Sequence, residues 1–224
     1  MPAKIIVSYD GTANEDDAVA LGRLLGQAGA EVALAYVSHT DDSVGDTQGI
    51  LGRGLSLLGD PNAATHVVTD RSTPEGLAAL AERERADAIV FCSDSHTAKG
   101  HVSIGNSAQR LLQGGRVAVA IAPVDLVERS SQIRRIVAVG DGDGGARQTA
   151  EALARALGAE VAPVAGEDTD LLVIDSRADA RPGQISLSSS AEHLIEIATG
   201  AVLVLPRDAR PEFAGAAAEQ HSAA

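Results

Sequence analysis

The chain has 224 residues, 45% of them hydrophobic but only 2% aromatic and none Trp, so any core must be packed from Ala, Val, Leu and Ile. Its 18 Lys and Arg against 31 Asp and Glu leave a formal charge of −13, which argues against binding nucleic acid or anionic membrane, since both need a basic footprint. A single cysteine excludes an internal disulfide and a four-cysteine zinc site. The opening MPAKIIVSYDG is too poor in apolar residues for a signal peptide. No apolar run approaches the roughly 20 residues needed to span a bilayer, so a cytoplasmic protein is expected.

KIIVSYDG reads as a short β-branched strand ending in a turn, and NEDDAVALGRLLGQAG as a helix with Asn14 as cap, an acidic first turn and a closing glycine. AEVALAYV is a second strand without polar alternation. Continuous apolar strands separated by helices indicate a parallel α/β sheet buried on both faces. After the polar loop holding His39, Asp41 and Asp42, ILGRGLSLLGD predicts a helix and ATHVVTD a third strand. TPEGLAALAERERA predicts a helix capped by Thr73, with Pro74 at its first position. DAIVF, the loop CSDSHTAKGHVSI, the helix GNSAQRLLQGG and the strand RVAVAIAP complete five strands and four helices by about residue 123.

From residue 133 the pattern starts again. RRIVAVGDG repeats AKIIVSYDG, GAEVAPV repeats GAEVALA, TDLLVID repeats ADAIVFC, and TGAVLVLP repeats GRVAVAIAP. Ile136 answers to Ile5 at an offset of 131 residues, but Asp175 answers to Cys92 at an offset of 83, so the second copy is about 48 residues shorter in between (131 − 83). The missing part spans a helix, a strand and another helix. The expected organisation is a domain over 1–124, a linker over 125–132, a shortened degenerate copy over 133–206 and a disordered tail over 207–224.

The IIVSYDG strand with Asp10, the TPEGLAALAERERADAIVFC unit and the terminal GNSAQRLLQGGRVAVAIAP resemble a universal stress protein domain. The resemblance implies a five-stranded parallel sheet of order 3-2-1-4-5, sandwiched by helices and followed by a truncated second copy. It also implies pairing through the last strand, which tandem members make within one chain as an intramolecular pseudo-dimer; homodimers are common as well. Nucleotide-binding members carry Gly-x2-Gly-x9-Gly-(Ser/Thr) after the fourth strand, where amides must approach phosphate without an intervening Cβ. Laid on this chain, the motif falls on Cys92, Ser95, Gly105 and Asn106, so one glycine of three is kept. In the second copy it falls on Asp175, Ala178, Ser188 and Ser189, and none is kept.

The implied site comprises Ser8, Tyr9, Asp10, Val37, Cys92, Ser95, Gly105, Asn106 and Ser107, with Asp10 and Val37 at the nucleoside end and Asn106 capping the helix. Lys99 and Arg110 are the cations nearest the phosphate end, and Asp141 repeats Asp10. ATP, with Mg²⁺, is the implied ligand. The resemblance points to a stress-response binding module with an unknown protein partner and, at most, weak ATPase activity. The eroded motif supports the alternative of an interaction protein that binds no nucleotide. No Ser-Gly-Gly or His-x-x-His phosphate signature of an adenine-nucleotide enzyme is present.

Other clusters have simpler readings. Cys92 ends an apolar strand and reads as a packed thiol rather than a nucleophile. Asp94, His96 and His101 lack a fixed helical spacing for metal. GDGDGGARQ reads as a strand-to-helix turn, and the acidic run Asn14 to Asp17 as an answer to the helix dipole.

Overall fold

Nine strands form among the described residues, most of them short apolar runs, and all nine join one sheet. The structure is a computed structural model that describes residues 1–39, 44–129, 132–140 and 144–213. The first five strands are β1 (Lys4–Ser8), β2 (Glu31–Ser38), β3 (Ala64–Thr69), β4 (Ala88–Cys92) and β5 (Ala118–Ala122). The remaining four are β6 (Arg135–Val139), β7 (Glu160–Ala162), β8 (Leu171–Asp175) and β9 (Ala201–Leu205). Their order is β3-β2-β1-β4-β5-β9-β8-β6-β7. The sheet is thus nine-stranded rather than five-stranded.

Strands β1 to β5 run parallel, as do β6 to β9 among themselves, and the single antiparallel junction is β5 against β9, with Ala120 opposite Leu203. Between β7 and β8 the described chain has only a short connection over 163–170, without a helix.

Alternate residues of each strand enter opposite layers. Ile5 and Val7 pack with helices α1 (Glu15–Gln27), α2 (Val44–Leu58), α5 (Leu126–Arg129) and α6 (Gly145–Leu157). Ile6, Ile89 and Phe91 pack with α3 (Thr73–Glu84), α4 (Asn106–Leu112) and α7 (Ser189–Glu196) on the other face. The scarcity of aromatics is met by close approach. A Cβ on Gly54 would lie 2.7 Å from Leu34 Cδ1 and 2.8 Å from Tyr9 Cε1, so glycine lets α2 sit down on β2.

Several local expectations change. Thr73 is the first residue of α3 and Ser72 its N-cap, neither making a side-chain cap bond there. Asn106 likewise opens α4, and Gly105 occupies the cap position. The linker includes the single turn of α5. Residues 207–213 of the expected tail are ordered: the Ala3 amide donates to the Glu212 carbonyl at 2.9 Å, and Phe213 is buried in the core. Asp41, Asp42 and Asp141 lie outside the described residues, as does 214–224. Among the described residues no helix is long and apolar enough to cross a membrane.

Candidate functional site

A cavity of about 330 Å³ opens at the carboxyl ends of β1, β2 and β4, against the start of α4. Crevices of this kind are where parallel α/β sheets hold ligands, and the size suits a small molecule. All nine residues implied from sequence border it: Ser8, Tyr9 and Asp10 after β1, Val37 in β2, Cys92 and Ser95 at the end of β4, and Gly105, Asn106 and Ser107 at α4. Asn14, Glu15, His39, Thr73, Phe91, Ser93, Asp94 and Ala108 complete the wall and were not among them.

The acidic run at α1 is a set of four separate devices. Asn14 makes no cap bond; its Nδ2 donates to Cys92 Sγ at 3.3 Å. Glu15 accepts the Asp10 amide. Asp16 takes both oxygens to Arg53 at 2.6 and 2.7 Å and accepts the Tyr9 hydroxyl at 3.0 Å. Asp17 is buried and accepts the amides of Asp125 and Val127 at 2.9 and 2.8 Å, tying the linker to α1.

These contacts set the site's protonation. Burial, reinforced by the neighbouring Asp10 carboxyl, raises Glu15 from its ordinary 4.5 to about 9, so at neutral pH it holds a proton. Burial pushes Asp10 upward, but hydrogen bonds from Glu15 and Thr12 outweigh it and leave Asp10 below its ordinary value. The pair therefore shares one proton and one negative charge. Burial, with Glu15 nearby, raises the Cys92 thiol to about 12, which keeps it protonated and inert as a nucleophile. Burial and Asp16 raise Tyr9 to about 12. Its ring lies in the core beneath Arg53, whose guanidinium is 6.0 Å from the ring centroid.

The loop after β4 is closed by its own side chains. Ser93 Oγ donates to the Ala122 carbonyl at 2.6 Å and accepts the Ser103 amide at 3.1 Å. Ser103 Oγ accepts the Asp94 amide at 3.0 Å, and Asp94 Oδ1 accepts the His96 amide at 3.0 Å. Gly100, at φ +82°, donates to the Val124 carbonyl at 2.9 Å.

Neither expected cation borders the cavity. Lys99 lies 2.8 Å from Asp125 and 3.9 Å from Glu128, and Arg110 is not part of the wall. His39 stands at the rim, its Nδ1 2.9 Å from the Asp70 carbonyl oxygen. Among the described residues the lining holds three acidic side chains, Asp10, Glu15 and Asp94, and no Lys or Arg.

The loop after β8 repeats three of these bonds 83 residues on. Ser176 Oγ donates to the Leu205 carbonyl at 2.7 Å and accepts the Ser186 amide at 3.2 Å, while Gly183 donates to the Arg207 carbonyl at 2.9 Å. Its crevice ends differently. Asp175, at the position answering to Cys92, accepts the Ala146 amide of α6 at 2.6 Å. A Cβ on Gly140 would lie only 2.5 Å from that of Asp175, so the carboxylate is packed tightly against the preceding turn.

The sequence matches no family model and no curated protein. Solved structures do match in shape. A protein from Pseudomonas aeruginosa UCBPP-PA14 assigned to the universal stress proteins has a TM-score of 0.66 at 16% identity, over 92% of this chain and 94% of that one. A functionally unknown protein from Pseudomonas aeruginosa PAO1 has a TM-score of 0.65 at 15% identity, over 92% and 94%. A universal stress protein from Archaeoglobus fulgidus DSM 4304 has 0.65 at 14% identity, over 91% and 98%. At such low identity the likeness speaks to architecture alone: along nine-tenths of its length, this chain has the fold of universal stress proteins.

Proposed function

We propose that the chain is a universal-stress-type binding module without chemistry of its own, whose first half holds an adenine-bearing small molecule. The observation that carries this reading is convergence: nine residues implied from four separate stretches of sequence border one cavity at the carboxyl ends of the strands. In this reading 133–206 is a shortened copy of 1–124. The hydrogen bonds repeated at an offset of 83 support that origin, as does the strand order β7-β6-β8-β9, which is that of β2-β1-β4-β5. The copy acts as a built-in partner, covering the edge of β5 that a second molecule would otherwise pair with.

A second reading has specific support: a protein-interaction module whose nucleotide pocket has eroded. It is favoured by the self-closed loop and by a wall that carries three acidic side chains and no Lys or Arg.

Thermal unfolding with adenosine, AMP and Mg·ATP at millimolar concentration separates the two. A ligand at one hundred times its Kd adds about 2.7 kcal/mol, which for a chain of this size raises Tm by roughly 5–10 °C. No shift with any of the three sinks the first reading and leaves the second. Steady ATP turnover above background would make the protein an enzyme instead.

A further inference from the structure

A phosphate entering the crevice meets two obstacles. The first is charge. Asp94 and the proton-sharing pair Asp10–Glu15 face the cavity. The nearby cations are engaged elsewhere, Lys99 with Asp125 and Arg53 with Asp16. The second is the loop's own closure. The amides of Asp94, His96, Thr97 and Ser103, which an anion-cradling loop would turn toward phosphate, already donate within the loop. An oxyanion held by those amides would have to break these bonds, and held anywhere in the cavity it would sit beside like charge.

The rest of the wall suits a different chemistry. Asp10 offers carboxylate oxygens to hydroxyl or amino donors, Asn106 and Ser107 both donate and accept, and Val37 and Phe91 supply apolar surface for a flat ring. Among the described residues no three His, Cys, Asp or Glu are grouped to hold a metal ion. A cation bridging phosphate to the acids would have to arrive with the nucleotide.

Building on the reading that this crevice takes an adenine-bearing ligand, we infer that it selects the uncharged nucleoside over its phosphorylated forms. The full chain is titrated calorimetrically with adenosine, AMP and ATP, the last with and without Mg²⁺. Adenosine is expected to bind at least about tenfold more tightly than either nucleotide, because like charges brought together at a binding site are strongly disfavoured. A nucleotide affinity equal to that of adenosine, or less than tenfold weaker, overturns the inference while leaving the adenine-ligand reading intact. Absence of binding by all three overturns both. Asp94→Asn, at an exposed position that keeps an acceptor for the His96 amide, is expected to narrow the preference for adenosine over AMP and ATP about threefold. An unchanged preference in this variant would overturn charge as the cause.

Discussion

The loops after β4 and β8 share three closing hydrogen bonds, yet they finish against different groups. In the first half β4 ends on a thiol, held by the side-chain amide of Asn14, and space remains between strand ends and helix. In the second half β8 ends on a carboxylate that reaches the first turn of α6 and takes the place an anionic ligand would occupy at a helix start. One scaffold thus carries a different residue at each strand end, a thiol in the first half and a carboxylate bonded to α6 in the second.

The largest test exchanges that residue. Cys92→Asp would place a carboxylate beside Asp10 and Glu15 with the Asn14 amide as its nearest donor. A buried charge without a counter-charge is expected to cost about 3 kcal/mol in urea unfolding at neutral pH. A cost below about 1 kcal/mol would mean that the two strand ends are interchangeable and the comparison fails.

A smaller effect probes what the loops share. Ser93→Ala removes the acceptor of the Ser103 amide and Ser176→Ala that of the Ser186 amide, each at an expected cost of about 1–3 kcal/mol. The two values are expected to agree within about 1 kcal/mol, the scatter of such measurements. A large inequality would show that one loop is held by something the other lacks.

Smaller still is a pH effect confined to the open crevice. The folded chain keeps a proton on Glu15 up to about 9, whereas the unfolded chain sheds it above the ordinary 4.5. Folding therefore binds a proton across that window, and stability is lost as pH rises through it. Glu15→Gln mimics the protonated acid and removes the loss. Its Tm is expected to match the parent near pH 4 and to exceed it progressively as pH rises toward 9. Parallel Tm curves would dissolve the shared-proton picture of Asp10 and Glu15.

The smallest effect is a null. Lys99→Ala is expected to change neither the urea midpoint nor adenosine affinity measurably, because its ion pairs are solvent-exposed and away from the cavity. A loss of affinity would put that cation back in the site.

Most strands were legible because they are runs of aliphatic residues with no polar alternation, which few other structures tolerate; β3, with Thr65, His66 and Thr69, is the exception. The cavity's backbone was legible too, since strand ends and the Gly105 turn fix where it opens. Its chemistry was not. Asn14 looks like a helix cap until Cys92, 78 residues later, is found to be the better partner. Glu15 looks like a dipole-stabilising acid until the turn through Gly11, at φ +88°, brings the Asp10 amide onto it. Lys99 looks available for an anion until Asp125, in a left-handed turn at φ +66°, claims it. Each error has one origin: local sequence states a side chain's nearest option, and tertiary structure supplies a stronger one.

The antiparallel seam between β5 and β9 has a spatial consequence. Because the direction of the strands reverses there, the carboxyl ends of β1 and β4 point to one pole of the sheet, and those of β6 and β8 to the other. The open crevice and the carboxylate-filled one therefore face opposite ways. Under the proposed reading, a protein that senses a ligand in the open crevice would have to approach from that pole, so the two faces at the ends of the sheet are not equivalent.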